Sequence, residues 1–292
     1  MQKILLPEKI IDEGMSLLRK YAEVVLIDDP SEESILAEIH DVFGIVLRSR
    51  ARITRRMLEA APKLKVISRT GAGYDNIDIA AATEHGVLVC NLPGINSVSV
   101  AEHTLTLVFA LIKQLPLMDQ YVRTGNWQRR SQYIPRDIAG MELGIIGLGK
   151  IGHEVMVRAQ AFGMSVLAYD PYVTGNMAGV TYCDTIGDLC SRADVITVHV
   201  PSLPQTRHLI SKELIDLMKP SAFFVNTSRG TLVDEQALIT ALRTRSIAGA
   251  ALDVFSQEPI DEAHPLLELD NVILTPHTAA LTKECGVKMT VE

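Results

Sequence analysis

The sequence predicts an α/β protein of two doubly wound parallel-sheet domains, and three observations predict it. Short aliphatic runs recur along the chain, each followed by a polar or helix-patterned stretch of roughly 12–20 residues, the rhythm of βαβ units. That rhythm breaks once, at the turn-rich NLPGINS of residues 91–97, which separates two series. Of the 292 residues 47% are hydrophobic but only 5% aromatic, so the apolar content is mostly the small aliphatic type that buried parallel strands use.

Taken in order, the first series has strands at KILL (3–6), VVLI (24–27), GIVL (44–47), KVIS (65–68) and VLVC (87–90). After the break, Val98, Ala101, Leu105, Val108, Ile112 and Leu115 step by three or four, which predicts one long helix with a single buried face. Ser99 and Glu102 have the spacing of a capping box at its start. A polar, irregular connection, RTGNWQRRSQYIPRDIAG (123–140), leads to the second series. Its strands are LGIIG (143–147), SVLAYD (165–170), DVITVHV (194–200), AFFVNTS (222–228), IAGAALDVF (247–255) and NVILTP (271–276). Six strands with intervening helices are the content of a dinucleotide-binding domain.

The net charge of −7 comes from interspersed signs, without the basic stripe of a nucleic-acid binder. RSRARITRR (48–56) and Arg129–Arg130 are short enough to be solvated faces. Cys90, Cys183, Cys190 and Cys285 are scattered and lack metal-ligand spacing, so free thiols in a reducing cytoplasm and no metal site are expected. The N-terminus MQKILLPEKI has no long apolar core of a signal peptide, and no apolar run reaches the roughly 18–20 residues that cross a bilayer. A cytoplasmic protein without a membrane or nucleic-acid partner is the expectation.

Gly147, Gly149 and Gly152 form a GxGxxG that follows an apolar strand and opens a helix, the context in which that weak motif gains meaning. Gly147 would allow the tight turn, Gly149 the approach of a pyrophosphate, and Gly152 the packing of helix on strand. The helix N-terminus then offers unpaired N–H groups to the phosphates. Eighteen residues past Gly152, Asp170 ends the next strand, where an acid accepts hydrogen bonds from ribose hydroxyls and repels a 2′-phosphate. No arginine follows in PYVTGN (171–176), so the expected cofactor is NAD.

Ligands of open α/β sheets collect at the carboxyl ends of strands. Those ends carry Arg229, Asp253, Glu258 and His277. Singly, Arg229 could be a surface cation, Glu258 a solvated acid and His277 a loop residue. Together they match one chemistry, the interconversion of a 2-hydroxy acid and a 2-keto acid. Neutral imidazole takes the hydroxyl proton near physiological pH, and its protonated form serves the reverse reaction. A carboxylate on the other ring nitrogen fixes the tautomer and stabilises imidazolium. A guanidinium fork grips the substrate carboxylate. His277, Glu258 and Arg229 are the candidates, in that order.

Beyond this reading, GIIGLGKIG, NTSRGTLVDEQAL, GAALDVFSQEP and ILTPHTA resemble the signatures of the D-isomer-specific 2-hydroxyacid dehydrogenases, and RTGAGYDNIDIAAATEHGVLVCNLPG and SVAEHTL resemble the matching substrate-domain segments. The resemblance covers nearly the whole chain. It implies a Rossmann-type NAD-binding domain, residues 96–277, inserted in a flavodoxin-like substrate domain, residues 1–95 with a C-terminal return over 278–292. It assigns Arg229, Glu258 and His277 to catalysis and Asp253 to the nicotinamide carboxamide. Lys150, Ile151 and Thr227–Arg229, including Ser228, would line the cofactor, with Val200 and Pro201 counted beside them. Within Thr70–Tyr74, the loop Gly71–Ala72–Gly73 would meet the substrate carboxylate. It further implies a homodimer, with the Val98–Leu115 helix as a candidate interface element.

Relatives usually continue with a helix crossing back to the first domain, and TKECGVKMTVE is expected to begin that helix without completing it. The sequence has no room for a separate C-terminal regulatory domain, so feedback inhibition by that route is not expected. Within the family, GAGYDNID, GNWQRR and ALDVF look most like the branch that oxidises 3-phosphoglycerate, in which case Arg129 or Arg130, and Arg48 or Arg50 beside Ser49, would hold a substrate phosphate. Glyoxylate/hydroxypyruvate reduction and lactate-type substrates are the enzymatic alternatives. The alternative from another class is a dinucleotide-sensing protein like the family's transcriptional corepressors.

Overall fold

The computed structural model describes residues 1–173 and 177–291. The end of the PYVTGN stretch, 174–176, and the last residue of the expected return, Glu292, lie outside the described residues. The chain divides into two compact units, Met1–Asn96 with Ala280–Glu292, and Ser97–Ala279.

The first unit is a five-stranded parallel sheet, β1 (Gln2–Leu6), β2 (Ala22–Leu26), β3 (Gly44–Leu47), β4 (Val66–Arg69) and β5 (Leu88–Cys90), in the order β2-β1-β3-β4-β5. This is the flavodoxin-like order, with its switch point between β1 and β3. Helices α1 (Asp12–Leu18), α2 (Glu32–Glu38), α3 (Arg55–Glu59) and α4 (Ile79–Glu84) connect the strands. Three of them start where a side chain takes up an orphan N–H: Ser31 from Ser34, Thr54 from Met57, and Asp78 from Ala81. Leu5, Ile45, Leu47 and Ile67 of the sheet bury themselves against Ile35, Ile39, Met57, Leu58 and Ala81. A C-terminal helix, Lys283–Val291, packs on α1 so closely that a methyl on Gly14 would lie 2.6 Å from Thr290.

The second unit holds seven parallel strands, one more than expected: β6 (Glu142–Ile146), β7 (Ser165–Tyr169), β8 (Val180–Tyr182), β9 (Val195–Val198), β10 (Phe223–Asn226), β11 (Gly249–Leu252) and β12 (Val272–Leu274). The extra strand is β8, a three-residue edge strand without an aliphatic run, so hydrophobic patterning passes over it. The order β12-β11-β10-β9-β6-β7-β8 is doubly wound about β6, whose neighbours are β9 and β7. Alternate strand residues feed two cores: Ile146, Ile196, Phe224 and Ala250 on one face, Ile145, Val195, Val225 and Ala251 on the other. A fully buried side chain such as Phe224 contributes about 1.5–3 kcal/mol by leaving water.

The expected helix over 98–115 is two helices, α5 (Ser97–Ile112) and α6 (Leu115–Arg123), bent by 60°. Gln114 between them is left-handed, with φ of 51°, and Pro116 opens α6. Ala101, Leu105, Val108 and Ile112 bury the face as expected, but Val98 (43% exposed) and Leu115 (61%) fall outside it. Nor do Ser99 and Glu102 sit at a cap, because the helix already begins at Ser97. The remaining helices are α7 (Lys150–Ala161), α8 (Ile186–Arg192), α9 (Lys212–Asp216) and α10 (Glu235–Thr244). Among the described residues no single helix is long and apolar enough to cross a membrane.

Candidate active site

The glycine loop joins β6 to α7 at the switch point of the second sheet. Gly147 has φ of +91°, and a Cβ there would lie 2.7 Å from the His199 carbonyl and from Val200 Cγ1, so turn and packing both require glycine. Gly152 carries α7 over the turn so tightly that its Cβ would meet the Gly147 carbonyl at 2.2 Å. Gly149, the N-cap of α7, differs: its φ is −75° and nothing lies within 4 Å of a Cβ built on it. The fold itself does not require glycine there, which fits a surface kept clear for a phosphate. Lys150 and Ile151 form the first turn of α7, whose leading N–H groups have no partner inside the helix.

Asp170, after β7, steadies this loop: its carboxylate accepts from Leu148 N at 2.8 Å and from Tyr172 N at 2.9 Å. Val200 rests against Gly147, and Pro201 offers its carbonyl to the Thr206 hydroxyl at 2.7 Å. Burial lowers the pKa of the neighbouring His199 to about 3, which leaves that ring neutral. A dinucleotide's phosphates and ribose would find a helix N-terminus, clear space at Gly149 and a carboxylate here, so these residues fit the group.

Parallel register then sets the other strand ends in a row. Asn226 pairs with Leu252, and Leu252 with Leu274, so the segments beginning Thr227, Asp253 and Thr275 leave the sheet side by side. Asn226 folds the first of them, its amide donating to the Arg229 carbonyl (2.9 Å) and accepting from Ser228 N (3.0 Å). Thr227 is buried and shares a 2.8 Å hydrogen bond with Thr104 of α5. Arg229 donates to the Ser228 carbonyl at 2.7 Å. Next to it, a Cβ on Gly230 would lie 1.9 Å from the carbonyl carbon of Phe255, so the Arg229 turn and the Phe255–Glu258 turn are in backbone contact.

That contact leads to Glu258 and His277. His277 Nδ1 is 2.6 Å from Glu258 Oε2, and each side chain keeps 35% of its surface open. An ionised carboxylate only accepts, so Nδ1 carries the proton in the neutral ring and Nε2 is left unprotonated. Burial opposes ionisation of Glu258, but the hydrogen bond and charge of His277, the N–H of Phe255 and the charge of Arg229 outweigh it and hold the carboxyl below its usual range. The three residues thus gather although 48 positions separate Arg229 from His277 in the sequence.

Asp253 has a more internal place than a cofactor contact alone would give it. It is fully buried, and its carboxylate accepts from the Thr275 hydroxyl (2.6 Å), Thr278 N (2.8 Å) and Ala279 N (2.9 Å). Burial raises its pKa, yet hydrogen bonds from His103, Thr275, Thr278 and Ala279 prevail and leave it lowered. Arg129 lies on the exposed turn Trp127–Ser131, its guanidinium 5.4 Å over the Tyr121 ring and bonded to Gln132.

In the first unit, β3 and β4 end in register, Leu47 beside Arg69, so the loops holding Arg48 and Gly71 are neighbours. Arg48 donates to the Lys9 carbonyl at 2.7 Å, while Ser49 is exposed. Buried Glu8 accepts from Arg50 N and Ala51 N, and Asn76 donates to the carbonyls of Arg48 and Ala51, so two side chains clamp that loop. Gly71 has φ of +149° and its carbonyl accepts from Leu92 N; the Ala72 carbonyl accepts from Asn91, which shapes the turn through Gly73.

Residues 105–279 match the family model described as the NAD binding domain of D-isomer specific 2-hydroxyacid dehydrogenase. The chain belongs to that family. A D-3-phosphoglycerate dehydrogenase of Methanocaldococcus jannaschii is 45% identical over 287 residues, which is 97% of this chain and 54% of the relative. The chain spans about half the length of the curated relatives it matches. Among solved structures, D-lactate dehydrogenase of Aquifex aeolicus complexed with NAD and lactic acid superposes with a TM-score of 0.90 at 29% identity, covering 99% of this chain and 92% of that one. An NADPH-dependent glyoxylate/hydroxypyruvate reductase of Sinorhizobium meliloti, in complex with NADP and malonate, gives 0.89 at 30% identity, covering 99% and 90%.

Against this family background, sequence reasoning passed over Glu8, Asn76, His103, Asn226 and Thr275. Most of them act on the backbone of a strand-end loop rather than pointing out as chemistry. The one available signal was position: Asn226 and Thr275 both stand at strand ends already under scrutiny.

Proposed function

We propose that the chain interconverts a small D-2-hydroxy acid and its 2-keto acid with NAD(H), and that the hydroxy acid is 3-phosphoglycerate, oxidised to 3-phosphohydroxypyruvate. The 2.6 Å contact between His277 and Glu258, beside Arg229 and in line with the glycine loop, carries this reading. Bound NAD supplies the acceptor for the hydride that leaves C2. His277 Nε2 takes the hydroxyl proton as the carbonyl forms, and its imidazolium returns that proton in reduction. Glu258 holds Nδ1, fixing the tautomer and balancing the charge. Arg229 grips the carboxylate as a fork that lysine does not copy. Lys150, Ile151, Val200, Pro201, Thr227, Ser228 and Asp253 line the cofactor, and Asp170 selects NAD over NADP.

Substrate residues in this reading are Arg48, Ser49 and Arg129 for the phosphate and Gly71, Ala72 and Gly73 for the carboxylate, in a substrate domain of residues 1–95 with 278–292. The phosphoglycerate assignment draws support from relatives of that name at 41–45% identity. A cytoplasmic homodimer completes the reading. In its favour, α6 buries none of its residues, and Val122 (59%), Trp127 (56%) and Ile134 (84%) leave apolar surface for a second copy.

A panel of 2-hydroxy and 2-keto acids, each with NAD(H) and NADP(H), followed at the reduced-nicotinamide absorbance, tests this. Turnover of 3-phosphoglycerate with NAD well above the others is the expected result. Faster glyoxylate or hydroxypyruvate reduction would move the chain to the reductase branch, and no turnover of any acid would refute the dehydrogenase.

A further inference from the structure

The segment that carries His277 is held by side chains more than by the sheet. β12 has three residues, none fully buried, and one strand neighbour, β11. Beyond it His277 adopts φ of +53°, a left-handed conformation that residues with a Cβ rarely take. Its N–H is bonded to the carbonyls of Asp253 (2.8 Å) and Thr275 (3.0 Å). The residues around it, Thr275, Thr278 and Ala279, all donate into the buried Asp253 carboxylate. The loop is therefore wound around one acid.

His103 of α5 stands behind that acid. Its Nε2 lies 3.2 Å from Thr275 Oγ1 and 3.5 Å from Asp253 Oδ1. Thr275 has one hydroxyl proton and gives it to Asp253 at 2.6 Å, so its oxygen must accept from His103, which places a proton on Nε2. The next residue, Thr104, is bonded to Thr227 at the end of β10, so consecutive positions of α5 reach two of the site's strand ends.

We propose that His103 is a positioning residue, which through Thr275 and Asp253 keeps His277 in the strained conformation that faces Glu258. This rests on the reading of His277 as the acid/base. The test compares His103→Phe, which keeps ring bulk but removes the donor, with His103→Gln, which returns an N–H near Nε2. Thr275→Val breaks the same chain of bonds at its middle and serves should the Phe variant fold poorly.

Two readouts are needed. The first is the downfield ring N–H proton of His277 bonded to Glu258, assigned in the NMR spectrum by its loss in Glu258→Ala. The second is kcat and KM on the acid the panel identifies. In His103→Phe and Thr275→Val the proton signal should broaden into exchange and kcat should fall by at least about tenfold with NADH affinity kept. His103→Gln should restore both. A sharp His277 signal with wild-type kcat in the Phe variant overturns the proposal, as does a loss that Gln leaves unrepaired, which would mark simple packing. Should the chain turn over no acid, the dehydrogenase reading fails, while the NMR arm still decides the role of His103.

Discussion

Substitution of Gly230 by alanine puts the site's geometry to the hardest test. Gly230 has no left-handed backbone to protect, so any cost must come from space alone. Its new methyl carbon would sit 1.9 Å from the carbonyl carbon of Phe255, 2.1 Å from its oxygen and 2.4 Å from Ser256 N. Ordinary contact begins near 3.4 Å, so the two turns must part by about 1.5 Å, and because both sides are backbone, no rotamer relieves it. One turn carries Arg229, and the other carries Glu258, whose carboxylate is held by Phe255 N at 3.0 Å. Overpacking of this kind costs about 1–3 kcal/mol, which lowers the melting temperature by about 2–4 °C per kcal/mol in a unit of this size. A misplacement of about 1 Å costs on the order of 100-fold in rate. Thermal melts and kcat/KM on the preferred acid measure the two effects. Gly149→Ala is the contrasting variant, since its methyl enters open space: it should melt like wild type and bind dinucleotide more weakly. A Gly230→Ala protein with wild-type melting and turnover would refute the reasoning.

His277→Ala should abolish turnover while NADH still binds, a result read by fluorescence titration beside the rate assay. Glu258→Gln should keep a hydrogen-bond partner for His277 but lose its charge, lowering kcat with NADH affinity kept; an unchanged kcat would break the pairing. Arg229→Lys should raise KM for the acid and lower kcat, together costing about 10–100-fold, because a point charge replaces a fork. Asp194 supplies a stability test. Burial opposes its ionisation, but Glu142 N, Lys219 and Arg136 hold it below the usual range. Its folded pKa lies below the unfolded one, so its contribution is complete above about pH 4 and drains away as pH falls through the folded value. Acid melts of Asp194→Asn should start lower and slope less between about pH 5 and pH 3 than those of the wild type.

Much of the fold was legible because parallel strands bury both faces and therefore read as aliphatic runs, and Ile145, Val195 and Val225 each lie inside a run picked out by composition. The strand β8 escaped because an edge strand need not be apolar. Gln114 escaped because the apolar spacing continues to Leu115 as if the helix did, and only the left-handed turn with Pro116 stops it. Parallel alignment puts every carboxyl end on one rim, which is how Arg229, Glu258 and His277, distant in sequence, come near one another. His103 was out of reach by that route. It lies on a helix between Glu102 and Thr104, and its meaning depends on the pairing of Leu252 with Leu274, a tertiary fact that no local window contains.

The strand order also divides labour. In the proposed reading, dinucleotide recognition belongs to β6, in the interior of the sheet with a neighbour on each side, whereas the acid/base His277 leaves from β12, the outermost rung. Opening that edge would unhook the acid/base while the central rungs keep their pairing. Local unfolding therefore has a way to silence the chemistry before it touches the nucleotide grip. Amide exchange should show two tiers of protection in one unit, with Thr275–Ala279 in the weaker. A protein arranged this way can hold its coenzyme and still be idle.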